Sequence, residues 1–121
     1  MSSILVIDDD QAMRSTVRKI LEREGHEVRE ATDGADGLRL FRDRPADVVV
    51  TDLIMPGKEG IETLLELREG APNVRILVIS GGGTVLAETT LSDAEALGAD
   101  ASLPKPFTVD QLRNAVAALL V

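Results

Sequence analysis

Residues 4–10 read Ile4-Leu5-Val6-Ile7-Asp8-Asp9-Asp10. Four consecutive aliphatic residues closed by acid are the pattern of a strand buried on both faces, as in a parallel sheet covered by helices. The next stretch changes period. From Gln11 to Glu24 the apolar positions are Met13, Val17, Ile20 and Leu21. That is helical spacing, and it predicts that Arg14, Arg18, Lys19 and Glu22 turn outward. Asp10 stands where an N-cap belongs, and Gly25 where a helix C-terminus favours glycine.

The same alternation recurs along the chain. Glu27 to Ala31 reads as a short second strand, and a second helix, about Ala35 to Arg42, stops before Pro45. Asp47-Val48-Val49-Val50-Thr51 is a β-branched third strand bounded by Asp52, followed by a helix from about Gly57 to Glu69. Arg75 to Ile79 is a fourth strand ending at Ser80, and Gly81-Gly82-Gly83 interrupts the chain before a helix from about Val85 to Leu97. Ala101 to Leu103 forms a last short strand, and Thr108 caps a final helix through Leu120. Strand and helix alternating in this way predict an α/β fold, a parallel sheet with helices on both faces. Right-handed crossovers leave few topologies. The expected one is a flavodoxin-like (βα)5 three-layer sandwich with five strands in the order 2-1-3-4-5 and a site at their carboxyl ends. No linker or repeat interrupts residues 1–121, which are read as one domain.

Composition narrows the function. Hydrophobic residues make up 44% of the 121 and charged residues 28%, which supports a buried core rather than disorder. The aromatics are Phe41 and Phe107, so aliphatic side chains supply the core. With 13 basic and 21 acidic residues the formal net charge is −8, which argues against direct nucleic-acid binding. The absence of cysteine excludes disulfides, thiol catalysis and cysteine zinc sites. No apolar run approaches membrane-spanning length. Met1-Ser2-Ser3 leads straight into a strand without a signal pattern, so no membrane association and a cytoplasmic location are expected. His26, the one histidine, follows Gly25 in what reads as an exposed turn and is given no role.

The chemistry lies at the strand ends. Strand one ends at Asp8-Asp9-Asp10, strand three at Asp52 and strand four at Ser80, and strand five leads to Lys105. Singly, each has an ordinary explanation. An acidic triplet caps a helix, Asp52 is a loop aspartate, Ser80 beside glycines is a turn residue, and Lys105 between prolines is a surface lysine. The triple glycine is no P-loop, since no Gly-Lys-Ser/Thr follows. Together they fall on one edge of a parallel sheet. Asp8, Asp9 and Asp52 there sum to −3, and Lys105 offsets one unit. Carboxylates in contact repel by about 1–4 kcal/mol per pair at effective dielectrics of 80 to 20. A divalent cation with hard oxygen ligands would neutralise them, which suits Mg²⁺. Asp52 could then act as a carboxylate nucleophile toward phosphorus.

The segments Ile4 to Asp10, Val49-Val50-Thr51-Asp52-Leu53-Ile54-Met55-Pro56-Gly57, Val78-Ile79-Ser80-Gly81, and Leu97-Gly98-Ala99-Asp100 through Lys105-Pro106-Phe107 resemble the receiver domains of two-component response regulators. The resemblance spans essentially the whole chain. It implies that Asp52 is the phosphoacceptor and that Asp9 binds Mg²⁺ directly, with Mn²⁺ able to substitute. Asp8 would bind the ion largely through water, and the Ile54 backbone carbonyl would be a further ligand. Ser80 would supply a hydroxyl that turns toward the phosphoryl group, and Lys105 would bind a phosphoryl oxygen. The Lys105–Pro106 bond is expected to be cis. A histidine kinase or histidine phosphotransfer protein is the implied donor, docking on Gln11, Arg14, Ser15, Arg18 and Lys19, with a downstream protein partner for output. The reading is a signalling switch rather than an enzyme, resembling a stand-alone receiver or else the N-terminal part of a longer regulator.

Two departures bear on switching. Ser102 stands where the family usually has an aromatic residue, and the stretch from Ser80 to Lys105 is longer than usual. A switch through Gly81 to about Thr90 is therefore expected in place of a rotating ring. Two alternative readings share part of this pattern. A haloacid-dehalogenase-type phosphatase shares the Asp-x-Asp of Asp8 to Asp10, but its motif continues with Thr or Val where Ala12 stands. A pseudo-receiver binding module would lack one of the acidic or lysine residues, all of which are present.

Overall fold

The computed structural model describes residues 2–52, 59–80 and 98–121. Five parallel strands form one sheet: β1 (Ser3–Ile7), β2 (Glu27–Ala31), β3 (Val48–Asp52), β4 (Arg75–Ser80) and β5 (Ala101–Pro104). Their spatial order is β2-β1-β3-β4-β5, as the alternating pattern predicts. Four helices are described: α1 (Gln11–Arg23), α2 (Gly34–Asp43), α3 (Glu59–Gly70) and α4 (Val109–Leu119). The helix expected at about Val85 to Leu97, and the proposed switch from Gly81 to Thr90, lie outside the described residues.

The strands divide their side chains between two cores. Leu5, Ile7, Val49, Ile76 and Val78 point to one face and pack with Phe41 of α2 and Leu64 and Leu67 of α3. Ile4, Val6, Val48, Val50, Leu77 and Ile79 point to the other and pack with Val17 and Leu21 of α1 and Leu112 and Val116 of α4. Period-two alternation explains the split, and a core on each face explains why β1 and β3 read as unbroken apolar runs. Gly37 lets α2 approach the sheet. A Cβ there would stand 2.7 Å from Ile7 Cγ1.

Local signals set the ends. Asp10 caps α1, accepting from the N–H groups of Ala12 and Met13. Thr108 and Gln111 form a reciprocal capping box at the start of α4. Gly25, at φ +88°, turns the chain out of α1 in the left-handed region that glycine adopts readily. The chain then folds back so that the His26 N–H donates to the Leu21 carbonyl at 3.3 Å. His26 is consequently half-buried, not in an exposed turn, and its Nδ1 is enclosed without a hydrogen-bond partner. The Lys105–Pro106 peptide is cis.

Candidate functional site

Register brings the acidic residues together. Ile7 pairs with Thr51 across β1 and β3, so the residues that follow them, Asp8 and Asp52, emerge side by side. On the next pair of strands, Ser80 lies opposite Pro104. That places Ser80 on the same edge, one position short of the level of Lys105. The Ser80 hydroxyl and the Ile54 carbonyl lie outside what the structure describes.

Asp8, Asp9 and Asp52 each present a carboxylate oxygen, and these oxygens lie within 4.8 Å of one another. Asp8 and Asp52 are 3% and 7% exposed, whereas Asp9 is open to solvent. Lys105 closes the cluster. Its Nζ donates to Asp52 Oδ2 at 3.0 Å and stands 3.6 Å from Asp8 Oδ2.

The electrostatics follow from burial and from this crowding. Loss of solvent raises the Asp8 carboxyl above its ordinary 3.8. The Asp10 N–H and the Lys105 charge oppose that rise, while Asp52 and Asp9 add to it. Burial pulls Lys105 down, but the hydrogen bond and charge of Asp52, with help from Asp8, outweigh it and hold the ammonium above 10.5. Lys105 is therefore a cation at neutral pH. Among the described residues, three acids against one base leave the cluster short of positive charge. Hard carboxylate oxygens at this separation fit a small divalent cation.

The chain belongs to the response regulator receiver domain family. Residues 4–117 match the family model described as response regulator receiver domain. Over 117 residues the chain is 38% identical to Response regulator MprA of Mycobacterium sp. (strain KMS), covering 97% of this chain and 50% of that protein. It is 36% identical to the DNA-binding transcriptional regulator NtrC of Azospirillum brasilense, covering 95% of this chain and 23% of that protein. The chain thus spans half or less of the length of these relatives. The receiver domain of NtrX from Brucella abortus superposes with a TM-score of 0.90 at 34% identity, covering 97% of each chain. A response regulator receiver domain protein from Clostridium thermocellum gives 0.90 at 31% identity, covering 99% of this chain and 94% of that one.

This receiver domain departs from the sequence reading at α1. Arg14 does not face solvent with Gln11 and Lys19. Its side chain folds against the sheet edge, donating to the Asp8 carbonyl at 2.8 Å and to Glu30 Oε1 at 3.3 Å. Arg18 also reaches Glu30, at 2.7 Å. Helical periodicity assigns Arg14 outward because it cannot register the glutamate that β2 carries beside it, whereas Arg18 keeps 43% of its side chain exposed, as expected. The pattern did hold a signal: two arginines four apart on one helix, and a glutamate near the end of the adjoining strand. Among the described residues no helix is long and apolar enough to cross a membrane.

Proposed function

We propose that Asp52 receives a phosphoryl group from a phosphohistidine and that the resulting acyl phosphate is the signal this receiver domain transmits. The observation that carries the reading is the Lys105 ammonium, 3.0 Å from Asp52 Oδ2 inside a cluster of three carboxylates. Asp8, Asp9 and Asp52, with the Ile54 backbone carbonyl, would hold Mg²⁺, which supplies charge neutralisation for the incoming phosphoryl oxygens. Asp52 is enclosed, so solvent around its nucleophilic oxygen is limited. The carboxylate oxygen attacks phosphorus as the bond from phosphorus to the donor imidazole nitrogen breaks, and the bonding pair returns to the imidazole. Lys105 then exchanges its bond to the carboxylate for one to a phosphoryl oxygen, remaining protonated throughout. Ser80, at the end of β4 on the same sheet edge, would supply the hydroxyl that turns toward the phosphoryl group.

In this reading the protein is a switch and not an enzyme acting on a separate substrate. Asp10 speaks against the phosphatase alternative. Its Oδ1 accepts the capping bonds of α1, which favours a structural role for Asp10 over that of an acid paired with Asp8. The donor is a histidine kinase or phosphotransfer protein, and the output is a protein partner rather than nucleic acid, given the net charge of −8. A cytoplasmic location accords with those partners. Intact-mass measurement after acetyl phosphate and Mg²⁺ tests the assignment. One added phosphoryl mass is expected on wild type, and none with EDTA or in Asp52→Asn. Equal labelling of Asp52→Asn would refute it.

A further inference from the structure

The two arginines that α1 directs toward β2 are not equivalent. Arg14 has 12% of its side chain exposed and Arg18 43%. The Nη1 of Arg14 donates to the main-chain carbonyl of Asp8 at 2.8 Å, and its Nε donates to Glu30 Oε1 at 3.3 Å. The other Glu30 oxygen accepts from Arg18 Nη1 at 2.7 Å, and Arg18 Nε donates to Glu22 Oε2 at 3.1 Å. Glu30 therefore steadies Arg14, and Arg18 steadies Glu30. Only Arg14 reaches the acidic turn.

The carbonyl that Arg14 holds belongs to the peptide joining Asp8 to Asp9. Asp8 is also held at its N–H, which donates to the Ala31 carbonyl at 3.2 Å, and at Oδ1, which accepts from the Asp10 N–H at 2.9 Å. A planar peptide pinned at its oxygen resists rotation about the bonds on either side. The directions in which the Asp8 and Asp9 carboxylates leave the chain are thereby set in advance. A guanidinium donating to a carbonyl in a partly enclosed setting makes a charge-assisted bond, stronger than a neutral one.

We propose that Arg14 is a positioning residue for the divalent-cation site, orienting the Asp8–Asp9 peptide through the Asp8 carbonyl, with Glu30 fixing the guanidinium. The inference rests on reading Asp8, Asp9 and Asp52 as that site. It makes a prediction of sign. A cation beside a cation site opposes metal binding, so if Arg14 acted only through its charge, its removal would tighten binding. If it acts by holding the peptide, removal loosens binding. Loss of partners that orient metal ligands typically weakens affinity by about 10–100-fold.

Titration of the full chain with Mn²⁺, read by the electron paramagnetic resonance signal of the free ion, separates the two. Arg14→Ala is expected to bind Mn²⁺ about tenfold more weakly than wild type. Arg14→Lys should fall between them, because an ammonium cannot reproduce the planar fork that reaches both acceptors. Arg18→Ala, which loses a contact to Glu30 but none to Asp8, should weaken binding by less than Arg14→Ala does. In acetyl phosphate labelling, Arg14→Ala should need more Mg²⁺ for half-maximal rate yet recover near wild-type rate at saturation. Mn²⁺ affinity in Arg14→Ala equal to or tighter than wild type would overturn the proposal, even if that variant melts lower. Should Arg14→Ala not fold, wild-type affinity in Arg14→Lys overturns it equally. A wild-type chain that binds no Mn²⁺ would instead overturn the metal reading, and this inference with it.

Discussion

Replacing Asp8 by Asn removes one charge from the cluster and little else. The amide keeps an oxygen for the Asp10 N–H, which now donates to Asp8 Oδ1 at 2.9 Å. Asn loses an attraction to Lys105 at 3.6 Å and two repulsions, toward Asp52 and Asp9, across no more than 4.8 Å. At an effective dielectric of 20 the attraction is about 4.6 kcal/mol and the two repulsions together at least about 7 kcal/mol. The net is about 2 kcal/mol against ionised Asp8, falling to roughly 0.6 kcal/mol at a dielectric of 80. Asp9 is exposed, which moves the balance toward the lower end. Without metal, Asp8→Asn should therefore be more stable than wild type by about 0.5–2 kcal/mol, a rise in Tm of roughly 2–8 °C for a chain of this size. Mg²⁺ should reverse the order. At a hundredfold excess over its Kd, an ion that binds only the native state adds about 2.7 kcal/mol, or roughly 11 °C. Wild type gains this, and the variant gains little. Calorimetric melting of both proteins in EDTA and in Mg²⁺ gives the four values needed. If the variant melts below wild type in EDTA, the cluster is not under net repulsion. If both proteins respond equally to Mg²⁺, Asp8 is not among the ligands.

Four other outcomes are expected. The raised Asp8 carboxyl favours the fold only while protonated, so in EDTA its contribution is lost as pH rises from about 3.8 through its folded value, and the Tm advantage of Asp8→Asn should grow across that window. Lys105 follows the same sign in a higher window: its stabilisation is complete below 10.5 and is lost as pH rises through its higher folded value, a loss absent in Lys105→Met. Gly37→Ala would force Ile7 from its rotamer and should cost about 1–3 kcal/mol in chemical denaturation, while an unchanged midpoint would show that α2 can simply move away. Lys19→Glu, on the exposed side of α1, should slow transfer from a phosphohistidine protein but leave acetyl phosphate labelling intact; equal loss in both would place the damage in the site instead.

What could be read from the sequence was governed by regularity. β1 and β3 declare themselves because burial on both faces leaves no polar position in Ile4 to Ile7 or Val48 to Val50. Once the strands are parallel, Asp8, Asp52 and Lys105 must share an edge, however far apart they lie in the chain. Asp10 and Thr108 are legible as caps because a cap depends on residues two or three positions away. Arg14 was not legible in this way. Its environment is made by Glu30, sixteen positions on in another element, and by a main-chain carbonyl, which has no side-chain signature at all. His26 was misplaced for a related reason, since the turn after Gly25 folds the chain back toward Leu21. Element ends shifted by a residue or two, as at Asp52, which closes β3 rather than following it.

Among the described residues the sheet acts as a wall between two rooms that share no side chains. Leu64 and Leu67 stand in one, Leu112 and Val116 in the other, and each strand residue serves one room only. Sequence drift in one room therefore need not be matched by change in the other, since distant sites without shared partners vary nearly independently. By strand parity Asp8 and Asp52 follow the alternation into the room of α1 and α4. Lineages of this fold can thus remodel the α2 and α3 side without retuning the residues that stand beside the acidic cluster. The α1 and α4 side, where Val17 and Leu21 pack under the same strands, has less freedom to wander.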